Sequence, residues 1–219
     1  MASEQIMIQS PDGDFSAYRA SPDGGNGPAI IVLQEIFGVN AVMREICDDL
    51  ADQGYVAICP DLFWRIEPNV DITDQSQAEW DKAFDLFGKF NIETGLKDIG
   101  VTVDLARRDS AGNGKVGAIG YCLGGLLAYL TACRTDVEAA VGYYGVNIPK
   151  FLGESSAIKG HLMLHVAGRD QFVDAAAQDA MHNGLDGNPH VTLHDYPDQD
   201  HAFARRGGEH FDADAADLA

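Results

Sequence analysis

The stretch GYCLGG, residues 120–125, constrains the fold of this chain more than any other part of the sequence. The apolar run before it, residues 115–119, has the length of a buried strand, and the apolar run after it, residues 126–132, suits a buried helix. A residue flanked by glycines between a strand and a helix is typical of a nucleophile elbow, here with cysteine in the usual place of serine. Such a turn would lift Cys122 to the mouth of the sheet, at a helix N-terminus whose partial positive charge favours the reactive thiolate.

The same stretch also fits a plain strand-to-helix turn, because free cysteine is among the most buried residue types. On this motif alone, Cys122 is either a nucleophile or a core residue. Cys47, Cys59 and Cys133 fall on apolar faces of predicted helices or at the end of a predicted strand, and we expect them in the core. The four cysteines form no C-x-x-C pair and have no histidine at metal-ligand spacing. The sequence therefore predicts free thiols, and it indicates neither a metal nor an organic cofactor.

The length and composition are those of one globular domain. A chain of 219 residues with 46% hydrophobic content can bury a full core, and we expect a single domain over residues 1–219. Residues 1–10 lack the cationic region of a signal peptide, and no apolar stretch approaches the ~20 residues that a membrane helix requires. These features predict a cytoplasmic protein that does not associate with a membrane.

The charge balance restricts the partners of the chain. Its net charge of -19, from 34 acidic and 15 basic residues, argues against nucleic acid, whose binding depends on Lys and Arg. An anionic substrate would also meet a repulsive field, so that its binding would need a local cation. We expect a small-molecule substrate and a monomeric protein.

Predicted strands and helices alternate along the chain. An N-terminal edge hairpin is followed by strands at residues 29–33, 55–59, 115–119, 139–144, 161–166 and 191–194, with helices that begin after a capping asparagine at position 40 and near positions 77, 93, 126 and 174. Most of these strands are apolar throughout, as expected of strands covered on both faces. The pattern predicts an α/β fold with a mostly parallel, doubly wound sheet and helices on both faces. Ligands of such sheets bind at the C-terminal ends of the strands.

A cysteine nucleophile needs a base to accept its proton, and the base works best when a carboxylate fixes its tautomer. After Cys122, the strand at residues 161–166 leads to Asp170, and the last strand leads to His201. This order of nucleophile, acid and histidine is that of the α/β-hydrolase arrangement. The other six histidines lie in or near strands, in a helix or in the C-terminal tail, and favour structural roles. The acidic residues at positions 174, 198 and 200 compete with Asp170, which is preferred because it follows a strand.

Together these residues make the chain similar to the dienelactone hydrolase family, the carboxymethylenebutenolidases of the α/β-hydrolase fold. The motifs that carry the resemblance are QEIFGVN (34–40), CPDL (59–62), GYCLGG (120–125), GYYG (142–145) and HAFAR (201–205). The combination extends over most of the chain and is far more specific than any single motif. The resemblance implies that a triad of Cys122, His201 and Asp170 opens a lactone or ester.

The resemblance also assigns a role to Glu35. Alone, a glutamate after a strand is more often solvated or salt-bridged. In the family, the matching glutamate holds the thiol neutral until substrate arrives and then accepts its proton. Two backbone N–H groups are predicted to form the oxyanion hole, that of Leu123 after the nucleophile and that of Ile36 in the loop after the first buried strand.

The substrate side departs from the family pattern. Members of the family hold a substrate carboxylate with two arginines, and Arg205 matches one of them. Trp80 stands where the other is expected, and Phe84 stands where a tyrosine is usual. Phe37 and Tyr144, from family motifs, complete the expected substrate-binding set. Three other cations could replace the missing arginine but favour solvated surface positions: Arg65, Lys82 and Arg206.

The C-terminal stretch is a second departure, because residues 212–219 end where family members continue through a closing helix. We therefore expect the C-terminal helix to be short or incomplete.

Three functional hypotheses follow. The first is a hydrolase that opens a small lactone such as dienelactone (4-carboxymethylenebut-2-en-4-olide to maleylacetate) through a thioacyl intermediate. The second is a broad carboxylesterase or thioesterase for uncharged substrates, which the missing arginine favours. The third, from another class, is a non-hydrolytic ligand-binding or redox-sensing protein, which would need Cys122 but neither His201 nor Asp170.

Overall fold

The computed structural model describes residues 1–219 and divides into two compact units, Met1–Ala118 and Ile119–Ala219. The strands are β1 (Ala2–Ile8), β2 (Phe15–Ser21), β3 (Gly27–Leu33), β4 (Val56–Pro60), β5 (Gly112–Tyr121), β6 (Ala139–Tyr143), β7 (His161–Ala167) and β8 (Val191–Tyr196). The helices are α1 (Ala41–Asp52), α2 (Gln77–Lys89), α3 (Ile92–Arg107), α4 (Leu123–Arg134), α5 (Ala175–Leu185) and α6 (Ala213–Leu218), with a 3₁₀ segment at Ile148–Ala157. The assignment of all 219 residues to a single domain stays a prediction.

The first unit contains the predicted edge hairpin. β1 pairs antiparallel with β2 from Ala2↔Ser21 to Ile8↔Phe15, and β2 pairs antiparallel with β4, which in turn pairs parallel with β3. The strand order in this unit is therefore β1-β2-β4-β3. The loop after β3 leads into α1, which begins where Asn40 accepts a hydrogen bond from the backbone N–H of Met43 (3.2 Å). Such a side-chain cap satisfies one of the unpaired donors at a helix start.

The second unit is parallel throughout its described pairings. β6 pairs with β7 and β7 with β8, in a register that places His165 opposite both Tyr143 and His194. Helix α4 is the central element of this core, since every residue from Leu123 to Cys133 is buried. This burial explains why its sequence is apolar all round rather than on one stripe. The parallel pairings and the alternation of strands with helices confirm the predicted α/β class.

Several boundaries differ from the sequence predictions. α4 begins at Leu123, directly after Cys122, rather than at residue 126. β8 extends beyond the predicted end at residue 194, through Asp195 to Tyr196. The charged Asp195 interrupts the apolar pattern from which the strand was predicted. The 3₁₀ segment was not predicted, because short i→i+3 turns lack a sustained hydrophobic period. None of the helices combines the length and the apolar character needed to cross a membrane.

Candidate active site

The turn at Cys122 has the strained geometry of an elbow. β5 ends at Tyr121 and α4 begins at Leu123, which leaves Cys122 alone between them with φ 56° and ψ -112°. A positive φ is costly for a residue with a side chain and persists only where the surroundings enforce it. Here the Cys122 N–H donates to the carbonyl of Tyr143 (3.1 Å), and the Cys122 carbonyl accepts from the N–H of Gly125 (3.0 Å). The predicted sequence of strand, turn and helix around Cys122 is confirmed.

Glycine at position 125 is required by close packing. A Cβ added there would lie 2.6 Å from the carbonyl oxygen of Tyr143 and 2.7 Å from the Cα of Gly145. The first turn of α4 therefore presses directly against the end of β6. This close contact leaves no room for a side chain at position 125, and the hydrogen bond from Cys122 to Tyr143 ties the turn to the same strand.

Asp170 and His201 form a short, buried pair. The Nδ1 of His201 lies 2.7 Å from Oδ2 of Asp170, and the two residues are 4% and 5% exposed. The second carboxylate oxygen of Asp170 accepts the backbone N–H of Phe172 (2.8 Å). Because an ionised carboxylate only accepts hydrogen bonds, it holds the proton of His201 on Nδ1 and leaves Nε2 as the atom that can accept one.

The charge state of His201 depends on Cys122. The buried Nε2 makes no hydrogen bond of good geometry, although the thiol of Cys122 is near enough to influence its charge. Burial lowers the pKa of His201, but a negative charge on Cys122 and the carboxylate of Asp170 outweigh burial and raise that pKa to about 10. The site therefore favours an imidazolium whenever Cys122 is a thiolate. This mutual stabilisation is what a thiol and its base require.

Two aromatic rings pack edge-to-face against His201. The ring of Tyr144 lies 5.0 Å from it, and the ring of Phe172 lies 4.8 Å from it. Tyr144 is buried, has a positive φ of 39° and donates its backbone N–H to the carbonyl of His165 (2.8 Å). The structure thus brings Tyr144, which the sequence predicts for substrate binding, to the histidine. Phe172 was missed, and its only signal in the sequence is its position two residues after Asp170.

The remaining predicted residues of the second unit lie close in sequence to these groups. Leu123, a predicted oxyanion donor, is the first residue of α4, so its N–H has no partner within the helix. Arg205 is 7% exposed and donates its backbone N–H to the carbonyl of Ala202 (2.9 Å), so that it belongs to the same turn as His201. Burial of an arginine at this turn is notable, because arginine is rarely buried unless it is paired.

The predicted residues of the first unit fall into two groups. Glu35 and Ile36 follow β3 in a buried loop and are 2% and 5% exposed. Phe37, Trp80 and Phe84 form an aromatic cluster, in which Trp80 packs edge-on with Phe37 (5.1 Å) and stacks with Phe84 (5.4 Å). The Nε1 of Trp80 donates to the carbonyl of Asp74 (3.0 Å). This hydrogen bond fixes the indole. Position 80, where the second arginine is expected, therefore carries an aromatic ring instead of a cation.

Two of the alternative cations are held elsewhere. Arg65 donates to both carboxylate oxygens of the buried Asp98 (2.7 and 3.1 Å) and lies over the ring of Trp64. Lys82 forms an ion pair with Glu67 (2.6 Å). Both interactions occupy the cationic group, so neither Arg65 nor Lys82 is a ready substitute for the missing arginine.

Comparison with known proteins decides the family. The sequence profile of the dienelactone hydrolase family matches residues 15–219. The chain belongs to the dienelactone hydrolase family. Its similarity extends over whole proteins: it is 42% identical to a carboxymethylenebutenolidase of Pseudomonas putida, over 100% of this chain and 93% of that protein. It is 48% identical to an Azospirillum brasilense protein provisionally named carboxymethylenebutenolidase, over 95% of this chain and 90% of that protein.

A solved structure agrees with this placement. The crystal structure of a provisionally named dienelactone hydrolase from Klebsiella pneumoniae superposes with a TM-score of 0.86 at 26% identity, over 99% of this chain and 94% of that chain. The predicted α/β-hydrolase fold and the prediction of a carboxylic ester hydrolase are confirmed. Because dienelactone hydrolases are enzymes, the hypothesis of a non-hydrolytic sensor is set aside.

Proposed function

We propose that this dienelactone hydrolase family member opens a small lactone of the dienelactone type, with Cys122 as nucleophile, His201 as base and Asp170 as the group that orients the base. The observation that carries the proposal is the short Asp170–His201 bond (2.7 Å), together with the electrostatic coupling of His201 to the elbow cysteine. The names of the relatives supply the substrate class, since they are carboxymethylenebutenolidases.

In the acylation step, the thiol of Cys122 gives its proton to Nε2 of His201, and its sulfur attacks the lactone carbonyl to form a tetrahedral oxyanion. The N–H of Leu123 stabilises this oxyanion at the positive end of α4, and the N–H of Ile36 is its predicted second donor. Collapse of the intermediate breaks the ring C–O bond and forms a thioester, and the imidazolium of His201 protonates the departing oxygen. The product of this half-reaction is a ring-opened acyl group on Cys122.

In the deacylation step, the neutral Nε2 of His201 removes a proton from water, which attacks the thioester. The C–S bond breaks, Cys122 leaves as a thiolate and the free carboxylic acid departs. One water is consumed. One of its protons goes to His201, and the other leaves with the carboxylic acid. Asp170 remains ionised throughout and keeps the other ring proton on Nδ1.

Glu35 is proposed to control the protonation of Cys122 before substrate binds. Support comes from the family resemblance and from the burial of Glu35, whose carboxylate is almost wholly removed from solvent. Glu35→Gln should therefore alter how strongly the acylation rate depends on the structure of the substrate. It should alter the rate of deacylation less.

The aromatic cluster of Phe37, Trp80 and Phe84 favours a second candidate, an esterase for uncharged substrates. An apolar surface where a second arginine is expected cannot hold a carboxylate by a bidentate ion pair. Comparison of kcat/KM for a lactone with a free carboxylate and for an uncharged ester of similar size separates the two candidates. A preference of tenfold or more for the anion, ~1.4 kcal/mol in transition-state binding, supports the lactone hydrolase, and an equal or better rate with the neutral ester supports the esterase.

The nucleophile is tested with a matched pair of cysteine variants. Cys122→Ala should reduce kcat/KM on the lactone by at least 10⁴-fold with an unchanged circular dichroism spectrum. Cys133→Ala is the control, because Cys133 is a buried free thiol near the far end of α4, the helix that Cys122 precedes. Turnover by Cys122→Ala within tenfold of the parent enzyme would refute Cys122 as the nucleophile.

A further inference from the structure

Phe172 occupies an unusual position in the loop between β7 and α5. Its side chain is 44% exposed, whereas the next residue, Val173, is 4% exposed and anchors the loop in the core. The loop is held further by the N–H of Val173, which donates to the carbonyl of Asp170 (3.3 Å), and by Asp174, which caps α5. Phe172 is thus a large apolar side chain that a well-fixed backbone presents at the surface.

Phe172 contacts both members of the Asp170–His201 pair. Its backbone N–H donates to Oδ1 of Asp170 (2.8 Å), the oxygen that His201 does not use. Its ring packs edge-to-face on the imidazole of His201, with centroids 4.8 Å apart and planes 76° apart. Although Phe172 itself is half-exposed, the two residues that it touches are only 5% and 4% exposed. One residue therefore links the carboxylate, by its backbone, with the imidazole, by its ring.

We propose that Phe172 is a positioning residue that covers the Asp170–His201 pair, fixes the imidazole against its carboxylate and keeps water from their hydrogen bond. This inference rests on the proposed function, because it assigns Phe172 a role through His201 rather than through contact with the reacting atoms. It adds to the site a residue that the sequence does not reveal and that no motif contains.

The effect follows from the energetics of a buried charged hydrogen bond. Water that reaches the pair competes for Nδ1–H and raises the local dielectric, and both changes weaken the hold of the carboxylate on the ring. The phenyl ring both covers the pair and contacts the imidazole edge-to-face, whereas a leucine in its place would supply only the cover.

The groups that face His201 set the direction of the change. They are the carboxylate of Asp170, the sulfur of Cys122, which is a negative partner as the thiolate, and the phenol ring of Tyr144. Burial lowers the pKa of His201, and the two negative partners raise it further than burial lowers it. Water admitted by loss of Phe172 would weaken all of these influences, so the pKa would fall from its raised value toward its ordinary one.

The test compares Phe172→Ala and Phe172→Leu with a control, Phe211→Ala. Phe211 is also a half-exposed phenylalanine of the second unit (38% exposed) and lies outside the catalytic and binding machinery. Two properties are measured for each variant: the dependence of kcat/KM on pH, and the exchange of the His201 Nδ1 proton with water, followed by its downfield ¹H NMR signal. A residue that acts only by packing would change the melting temperature without moving either property.

For Phe172→Ala we expect kcat/KM to fall ~10-fold, the apparent pKa of His201 to fall by about one, and the Nδ1 proton to exchange markedly faster. Phe172→Leu should keep slow proton exchange and lose less activity, and Phe211→Ala should match the parent in both properties. An unchanged Nδ1 signal and an unchanged pH profile in Phe172→Ala would overturn the proposal. Equal changes in Phe211→Ala would overturn it as well.

The NMR measurement separates this proposal from the proposed function. The Nδ1 proton reports the Asp170–His201 bond whether or not Cys122 is the nucleophile. If Cys122→Ala retained activity, the proposed mechanism would fail, and the exchange rate in Phe172→Ala would still decide whether Phe172 protects the pair.

Discussion

Two buried histidines of the second unit have nearly equal exposure and opposite electrostatics. His165 lies on β7 and is 2% exposed, and His201 lies in the loop after β8 and is 4% exposed. The pKa of His165 is lowered to about 4 by burial and by the neighbouring His194, whereas the pKa of His201 is raised to about 10. Burial acts in the same direction on both. The difference therefore arises from their partners.

Their partners belong to different parts of the fold. The Nδ1 of His165 lies 2.9 Å from the neutral hydroxyl of Tyr196, and its ring stacks on those of Tyr143 (4.4 Å) and His194 (5.6 Å). The cross-strand registers Tyr143↔His165 and His165↔His194 place these rings on one face of the sheet. His201 instead has the carboxylate of Asp170 and the thiol of Cys122. The neutral partners of His165 thus leave its pKa lowered, and the charged partners of His201 raise its pKa.

Asp170→Asn is expected to reduce the difference between the two histidines most, because it gives His201 a neutral partner like that of His165. An amide can hold the wrong tautomer of the ring and cannot stabilise the imidazolium, so we expect kcat/KM to fall ~10⁴-fold. Steady-state hydrolysis of the lactone measures the loss. Asp198→Asn is the control, because Asp198 pairs with Arg169 at the surface, and it should retain activity within a factor of two or so. A loss below tenfold in Asp170→Asn would show that the carboxylate does not set the state of His201.

The second test uses the opposite pH dependence of the two histidines. His165 is neutral in the folded state, and in the unfolded state its pKa is near 6.5, so its contribution to stability is lost as pH falls from about 6.5 toward 4. Protonated His201 stabilises the folded state. This contribution is fully present below about pH 6.5 and is lost as pH rises through about 10. Urea unfolding of His165→Phe should therefore show a smaller loss of stability between pH 6.5 and pH 4 than the parent shows. Parallel curves for both proteins over that range would contradict a neutral, buried His165.

A smaller effect is expected when the neutral partner of His165 is removed. Tyr196→Phe deletes the hydroxyl next to Nδ1 and should lower the free energy of unfolding by ~1 kcal/mol, the typical contribution of one hydrogen bond. Because Tyr196 acts on the sheet histidine, kcat/KM should remain within about twofold of the parent value. Chemical denaturation and lactone hydrolysis measure the two quantities. A fall in kcat/KM well beyond twofold would indicate that His165 is coupled to His201.

The smallest effect concerns a third histidine, which has charged partners but little burial. His182 lies between Asp186 (3.1 Å) and Asp195 (3.0 Å), and the hydrogen bond to Asp195 is the main reason that its pKa is raised. His182 stabilises the folded state when it is protonated. This contribution is complete below about pH 6.5 and is lost as pH rises through the raised pKa. Because this site is partly solvated, His182→Asn should cost less than ~1 kcal/mol at pH 6, and 1 M salt should abolish the difference. A salt-independent loss would place His182 among the buried pairs.

The elements of the fold follow from local signals. The apolar strands and the Asn40 cap of α1 depend on residues that are neighbours in sequence, so the predictions closely match the observed β3, α1 and β7. The elbow was predictable for the same reason, because glycines at both sides of Cys122 allow one strained turn. The 3₁₀ segment was not predictable, since its stability depends on tertiary contacts such as the hydrogen bond from Tyr129 to the carbonyl of Phe151 (3.0 Å).

The contact between Asp170 and His201 was predictable, because chain order determines where both residues lie. Asp170 and His201 follow strands of the sheet, and topology alone brings the ends of those strands together. Contacts between residues far apart in the chain were not predictable from the sequence. Asp98 binds Arg65, which lies 33 positions away, and the ring of Phe172, in the loop after β7, packs on His201, in the loop after β8. The opposite states of His165 and His201 were likewise beyond sequence reasoning, because they depend on which side chain lies beside each ring.

The most direct test of the central claim is to trap the acyl group on Cys122. The lactone is mixed with the His201→Asn variant, in which deacylation should be slow, the reaction is quenched in acid, and the protein is analysed by intact mass and peptide mapping. We predict a mass increase equal to the lactone, located on the peptide that contains Cys122 and absent from Cys122→Ala. An acyl group on another residue, or turnover by the parent enzyme with no acyl group on Cys122 at any quench time, would contradict the account.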